Sequence, residues 1–355
     1  MNFRIIAYIV GWVCNFQAAF MMLPLLTAGI YREKDFSAFL LVMLVCLVVG
    51  VPLTRKKPKN KVFYIKDGCV AVALSWLALC IFGSIPFVVS GCIPHPIDAL
   101  FETVSGFTTT GSSILSDVEV LPHCILIWRS FTHWIGGMGV LVFLLSLLPL
   151  AGGYHMNLMK AESPGPSVSK LVPKVQSTAK ILYTIYFGMT LIQLALLLIG
   201  RVPLFDSLCI TFGTAGTGGF GIVNDSLGSY STYCQVVTTI FMILFGVNFT
   251  FYFCILKKKI KQASCMTEVW LYLAIIAVSI AAITLNISGG FPNLFQHFTM
   301  PHFRLARSLR QPVSVPWTST SGRAFPRRSG NADVCRSLCR KYRRWTQGFP
   351  YSDPV

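Results

Sequence analysis

Seven apolar stretches leave this chain few ways to fold: 5–29, 36–53, 68–90, 124–150, 181–200, 231–256 and 267–287. Each approaches or exceeds the length needed to cross the roughly 30 Å hydrocarbon core of a bilayer. No water reaches the backbone there, so a crossing segment must satisfy its own N–H and C=O groups, as an α-helix does. Hydrophobic residues make up 54% of the chain and charged ones 12%, so the expected class is an all-α polytopic membrane protein. The first stretch has the length of a signal peptide. Only Arg4 precedes it, and no small-residue cleavage site leads to a soluble domain, so it is read as a retained helix.

The net charge of +17 resembles a nucleic-acid signal until it is mapped. Arg55, Lys56, Lys57, Lys59, Lys61 and Lys66 follow the second stretch, Lys160, Lys170, Lys174 and Lys180 separate the fourth from the fifth, and Lys257, Lys258, Lys259 and Lys261 follow the sixth. Residues 67–127 carry only Asp67, Asp98, Glu102, Asp117 and Glu119. The excess of Lys and Arg in alternate loops sets orientation, with the N-terminus and the three basic loops in the cytoplasm. These loops serve topology at an inner, cytoplasmic membrane, with membrane lipid as their surroundings, and no nucleic-acid partner is expected. The twelve cysteines are scattered, mostly in apolar stretches, without a C-x-x-C pair. They read as packed or lipid-facing thiols rather than zinc ligands or a disulfide framework.

Two short Thr/Gly loops recur in matching positions. Phe107-Thr108-Thr109-Thr110-Gly111-Ser112-Ser113 lies between the third and fourth stretches, and Gly213-Thr214-Ala215-Gly216-Thr217-Gly218-Gly219-Phe220 lies between the fifth and sixth. Each follows a segment too short to cross the bilayer, Pro96 to Phe107 and Leu204 to Phe212, which is expected to be re-entrant. Asp98-Ala99-Leu100-Phe101 pairs with Phe205-Asp206-Ser207-Leu208 in this reading. The repeated unit is helix, pore helix, filter loop, helix, arranged around a central ion pathway. Both loops come in from outside the cell. Two units are complete and a third begins with 267–287 and Gly289-Gly290-Phe291. The chain then divides into residues 1–66, two helices and a basic cytoplasmic loop; 67–150, the first unit; 151–180, a cytoplasmic loop; 181–262, the second unit; 263–300, the start of a third; and 301–355, a basic tail.

This arrangement suits a cation. A pore helix aims its C-terminal, partially negative end at the loop. Backbone carbonyls then replace the water around a dehydrated ion, and glycine admits the unusual backbone angles that requires. The expected K+ ligands are Thr108, Thr109, Thr110, Gly111 and Ser112 in the first copy, and Ala215, Gly216, Thr217, Gly218 and Gly219 in the second. Asp98 and Glu102 are expected to raise the cation concentration at the outer mouth. No cofactor is expected to bind this chain; K+ is its cargo. Arg129, near the outer end of a span, either snorkels to the interface or braces the pore side. His133 reads as a packing residue, and Gly136, Gly137 and Gly139 permit close helix packing.

At these residues the chain resembles the Trk/Ktr family of potassium-uptake membrane subunits. The motifs are Asp98-Ala99-Leu100-Phe101-Glu102 leading into the first Thr/Gly loop, Trp128-Arg129-Ser130-Phe131-Thr132-His133-Trp134-Ile135-Gly136-Gly137-Met138-Gly139, and Thr217-Gly218-Gly219-Phe220. The resemblance extends over about residues 1–295, and the middle motif is its most specific part. It implies four units around one pore, each supplying one filter strand, with Gly111 and Gly218 as the filter glycines of the first two. It also implies potential-driven K+ uptake, a homodimer, and a cytosolic nucleotide-binding regulatory subunit.

Residues 301–355 depart from this pattern, with eleven of the thirty Lys and Arg residues and no apolar stretch. A shifted reading frame accounts for them. Read two nucleotides forward, codons allowed for Ser308 to Gly322 give ITTTGFGTVDFDFWP, similar to the family's third filter. Read one nucleotide forward, Asp333 to Pro350 allow MFVGACAGSTGGGLKVSR, similar to the fourth. The single tryptophan codon leaves no freedom at Trp317 and Trp345, and both fit. The sequence therefore reads as a family member with at least two frameshifts after about residue 295. Taken literally, it holds half of a four-strand filter and is expected not to transport K+ alone. A membrane-embedded enzyme is a weaker reading, because His95, His123, His133 and His155 are dispersed. No Walker or Rossmann glycine pattern is present, so nucleotide belongs to a partner.

Overall fold

A computed structural model describes residues 2–55, 65–139 and 175–287, and among these every regular element is an α-helix. The readings of 140–174, of Gly289-Gly290-Phe291 and of 301–355, the shifted frame included, fall outside the described residues.

The first stretch forms two joined helices, α1 (Phe3–Phe20) and α2 (Met22–Tyr31), meeting at Met21. Pro24 sits four residues beyond Phe20 and has no N–H to offer its carbonyl, which accounts for the joint. α3 (Phe36–Arg55) lies against α1 where two glycines meet. A β-carbon on Gly11 would sit 2.6 Å from Leu53 Cβ, and one on Gly50 would sit 2.9 Å from the Gly11 carbonyl oxygen. Contact this close gains dispersion energy without help from water, as helix pairing in lipid requires. The outer side of α3 exposes Leu41, Leu44, Val48 and Val51, an apolar face that suits lipid.

The first unit continues with α4 (Ile65–Val89), α5 (Pro96–Phe107) and α6 (His123–Met138). The second contains α7 (Val175–Ile199), α8 (Leu204–Ala215), α9 (Thr232–Gly246) and α10 (Phe249–Leu256), followed by α11 (Ile260–Ser264) and α12 (Thr267–Ile287). Among the described residues, four helical stretches are long and apolar enough to cross a membrane: Phe3–Tyr31, Phe36–Arg55, Lys66–Val89 and Lys180–Ile199. The 124–150 stretch is not one uninterrupted helix: α6 stops at Gly139, whose φ of 70° is left-handed.

Nor is 231–256 a straight span. α9 and α10 meet at 88°, and the bend carries its own hydrogen-bond partners. Tyr252 donates its hydroxyl to the Leu244 carbonyl at 2.7 Å, Tyr272 donates to Ile243 at 3.3 Å, and Asn248 Oδ1 accepts the Thr250 N–H at 3.0 Å. These contacts serve groups that an unbroken helix would pair internally.

α6 is the centre of the assembly. Twelve of its sixteen residues are buried, the pattern of a helix covered on all sides. Trp128, fully buried, donates to the Gly83 carbonyl at 3.0 Å and meets Phe39 and Phe107 edge-on. At its N-terminus, Glu33 from the α2–α3 loop accepts the His123 N–H at 2.7 Å and the Cys124 N–H at 3.0 Å. Burial alone would raise the Glu33 carboxyl, but these bonds, with contributions from the Cys124 and His123 side chains, hold it below the ordinary carboxylate value.

Candidate functional site

The two Thr/Gly loops adopt one backbone design, repeated at a spacing of 108 residues. Thr108 donates its N–H to Val104, Thr109 to Gly106, and both Thr110 and Gly111 to Ser105. In the second copy Gly216 donates to Phe212, Thr217 to Thr214, and both Gly218 and Gly219 to Gly213. The left-handed residues also match: Thr109 and Thr217 have φ of 55° and 56°, and Gly111 and Gly219 have 69° and 71°. A threonine at positive φ is rare and needs support from its surroundings, so finding it at both equivalent positions marks a built feature.

This register corrects the sequence alignment in three places. α8 runs to Ala215, so the second pore helix is a turn longer than expected and Ala215 is its last residue rather than part of the loop. Gly219, one position after Gly218, is the counterpart of Gly111. Along the pore helices Asp98 matches Asp206 and Leu100 matches Leu208, a shift of one from the expected pairing.

The direction of the carbonyls follows from these bonds. A trans peptide points its C=O opposite to its N–H. The N–H groups of 109–111 and 217–219 turn back to their pore helices. The carbonyls of Thr108, Thr109 and Thr110, and of Gly216, Thr217 and Gly218, therefore point away from those helices. In the first copy Thr108 donates its hydroxyl to Val104, and its Oγ1 lies 2.8 Å from Thr110 Oγ1. Ser105 donates its hydroxyl to the Ser112 carbonyl, fixing the far end of the loop. Residues 216–220 are buried, whereas Thr109 and Thr110 are half-buried and Thr108 is exposed.

The acidic residues occupy different places from those expected. Glu102 does not stand open at the mouth; it is 1% exposed and paired with Arg129, itself 4% exposed. The remaining acceptor capacity of Glu102 takes the Ser113 hydroxyl and the Ile114 N–H, both at 3.0 Å, at the far end of the first Thr/Gly loop. Arg129 also donates to the Gly221 carbonyl at 2.9 Å and covers the Phe220 ring at 3.7 Å, just past the second. One buried ion pair thus ties the segments after both Thr/Gly loops to α6. Asp98 sits in the first turn of α5, at the end away from the Thr/Gly loop, where its charge complements the positive end of the helix dipole. The exposed acids after the loops are Asp117, Glu119 and Asp225, and sequence reasoning gave the first two no role.

Asp117 and Glu119 belong to a clasp between the units that the sequence did not disclose. Asn224 accepts the Val118 N–H at 2.9 Å, donates its side-chain amide to Asp117 at 2.8 Å, and donates its own N–H to Glu119 at 2.9 Å. The Asn224 bond, with the Glu119 N–H, lowers the Asp117 carboxyl from its ordinary value. The recurring acid two residues after a small apolar pair, Asp117 and Asp225, was the only signal.

α6 wedges between the two pore-helix ends. A β-carbon on Gly136 would lie 2.8 Å from the Phe107 carbonyl carbon, and one on Gly137 would lie 2.8 Å from Gly216 Cα. Adjacent glycines therefore let one helix touch both Thr/Gly loops. His133, one turn earlier, is fully buried and stacks on Phe220 with ring centroids 3.9 Å apart. Among the described residues, no group of three or more His, Cys, Asp or Glu side chains is placed to hold a metal.

A family model described as "TrkH: Cation transport protein" matches residues 34–287. The chain is 36% identical over 266 residues to the Trk system potassium uptake protein TrkH of Salmonella typhimurium, covering 73% of this chain and 54% of that protein. It is 35% identical over 263 residues to the protein of the same name from Escherichia coli K12, again covering 73% and 54%. The crystal structure of the potassium transporter TrkH from Vibrio parahaemolyticus matches with a TM-score of 0.73 at 25% identity, covering 86% of this chain and 64% of that one. The chain spans about half the length of the curated relatives it matches.

Proposed function

The chain belongs to the TrkH family of cation transport proteins, a family of transporters rather than enzymes, and we propose that it conducts potassium across the cytoplasmic membrane as the membrane subunit of a Trk-type uptake system. The observation that carries this reading is the repeated filter backbone: matching N–H anchors, matching left-handed residues, and carbonyls turned away from two pore helices. Carbonyl oxygens ranked along a narrow path replace the hydration shell of a dehydrated cation. The ligands in this reading are the carbonyls of Thr108, Thr109 and Thr110 and of Gly216, Thr217 and Gly218, with Gly111 and Gly219 as hinges and Ser112 as an anchor. Glu102 acts as the internal counter-charge of Arg129, while Asp117, Glu119 and Asp225 supply the negative potential at the outer surface. Relatives described as potassium uptake proteins, similar over 73% of the chain, favour transport over an inert remnant.

Further parts of the reading come from the charge map and the family resemblance. The N-terminus, the N-terminal ends of α4 and α7 with Lys66 and Lys180, and the loop with Lys257–Lys259 face the cytoplasm. The working form is a homodimer, and a cytosolic nucleotide-binding subunit regulates it. Rubidium uptake by a host lacking its own potassium-uptake systems tests the core of the proposal. Contrary to the expectation drawn from half a filter, expression of this chain should raise uptake above that of the empty host, and Gly111→Ala or Gly219→Ala should abolish the gain, because both positions need a left-handed backbone. Uptake no greater than the empty host's, with the protein present in the membrane, would overturn it.

A further inference from the structure

The second filter segment reads Gly216-Thr217-Gly218-Gly219 where the first reads Thr108-Thr109-Thr110-Gly111. Backbone conformation does not explain the two extra glycines. The left-handed positions are 109 and 111 in one copy and 217 and 219 in the other. Gly216 is right-handed, with φ −72° and ψ −8°, and Gly218 is not among the positive-φ residues. Threonine holds both equivalent positions in the first copy.

Residue 133 excludes a side chain at both sites. A β-carbon on Gly216 would lie 2.7 Å from the His133 carbonyl carbon and 2.9 Å from His133 Cβ. A β-carbon on Gly218 would strike the imidazole itself, 2.5 Å from Nε2 and closer to Nδ1 and Cε1. Contact with three ring atoms means that the imidazole fills the volume a side chain at 218 would claim.

The same ring holds the residue after the filter. His133 stacks on Phe220 at 3.9 Å with planes 22° apart, and the Arg129 guanidinium carbon lies 3.7 Å from the same centroid. Two groups this close to one centroid cannot share a face without overlapping. Arg129 and His133 lie one turn apart on α6, so the Phe220 ring is inserted between them. Stacking of a cation and of an aromatic ring against a buried phenyl are both favourable.

We propose that His133 is the positioning residue of the second filter segment, its imidazole replacing the side chain that residue 218 lacks and clamping Phe220 against Arg129. This deepens the potassium reading and rests on it. The ligand carbonyls of 216–218 are then braced from behind by the last helix of the first unit. The second strand is bare backbone at the levels where the first carries the Thr108 and Thr110 side chains, whose hydroxyls bond to Val104 and to each other. Ion preference should depend on a residue that touches no ion.

The test is a four-protein cycle: wild type, His133→Ala, Gly218→Ala, and both changes together. Each is scored for rubidium over sodium uptake in the potassium-uptake-deficient host. Either single change should erode the preference, His133→Ala by unclamping the strand and Gly218→Ala by displacing the ring. The double variant should recover much of it, because the added methyl occupies space the ring vacated. Additive losses, or a His133→Ala protein with unchanged preference, would overturn the proposal. If the wild-type chain itself gives no rubidium uptake, the potassium reading fails separately. The same cycle is then read in melting temperature, where a recovered double variant supports the match between 133 and 218 and additivity refutes it.

Discussion

At the residue scale, the buried Glu102–Arg129 pair shows how one ion pair can serve two loops. Charges so deep are costly to desolvate, and removing one partner leaves the other uncompensated. Glu102→Gln is expected to destabilise the protein by about 3–5 kcal/mol. Glu102→Leu combined with Arg129→Met should be milder than either single change, and thermal unfolding in detergent decides between these outcomes. A gentler test lies at Glu33. Its carboxyl is held below the ordinary carboxylate value, so it stabilises the fold above pH ~4.3, its unfolded value, and that stability is lost as pH falls through the lower folded value. Glu33→Gln should lose about 1 kcal/mol of N-terminal capping at neutral pH and show a flatter acid limb in a pH series of melting temperatures. At this scale the sequence disclosed types more readily than partners. Arg129 was left between the interface and the pore, and Glu102 was assigned to the mouth, because a 27-residue separation in sequence says nothing about a side-chain contact.

At the element scale, hydrophobic length located the helices but concealed their joints. The 5–29 stretch carries its own signal in Pro24, whereas the 88° corner between α9 and α10 has no proline. Its cause is tertiary, with Tyr252 and Tyr272 serving carbonyls near the end of α9 and Asn248 capping α10. Tyr252→Phe removes a single donor and should cost about 1 kcal/mol. Gly246→Ala should be worse, because its methyl collides with the Tyr272 hydroxyl, and amide hydrogen exchange across 243–252 should rise in both variants. The pore helices were legible because Pro96 and Pro203 mark their starts. The end of α8 was not, since Gly213 looks like a helix terminator and in fact lies within the last turn, accepting the N–H groups of Gly218 and Gly219.

At the scale of the whole molecule, the two units were visible as repeated motifs, while the means of joining them was not. Asn224 joins the loops that follow the two Thr/Gly segments, and Asn224→Ala should lower the melting temperature and increase protease sensitivity in the 116–121 and 223–229 loops. Orientation can be tested through Cys265, an exposed thiol beside the Lys257–Lys261 cluster. A membrane-impermeant maleimide should label it in inside-out vesicles and not in intact cells, with Cys265→Ser as the control. The glycine pair of α6 has one more consequence. Gly136 abuts the start of the first Thr/Gly loop and Gly137 that of the second, and α6 packs more extensively on the second pore helix than on its own. Covalent repeat and packing repeat are therefore out of phase by a helix. A recombinant cut between α6 and α7 would deliver a second Thr/Gly loop without the wall it leans on. The cassette that can be exchanged between relatives is α6 through α8, and chimeras joined before residue 123 should tolerate divergence that chimeras joined after residue 150 do not.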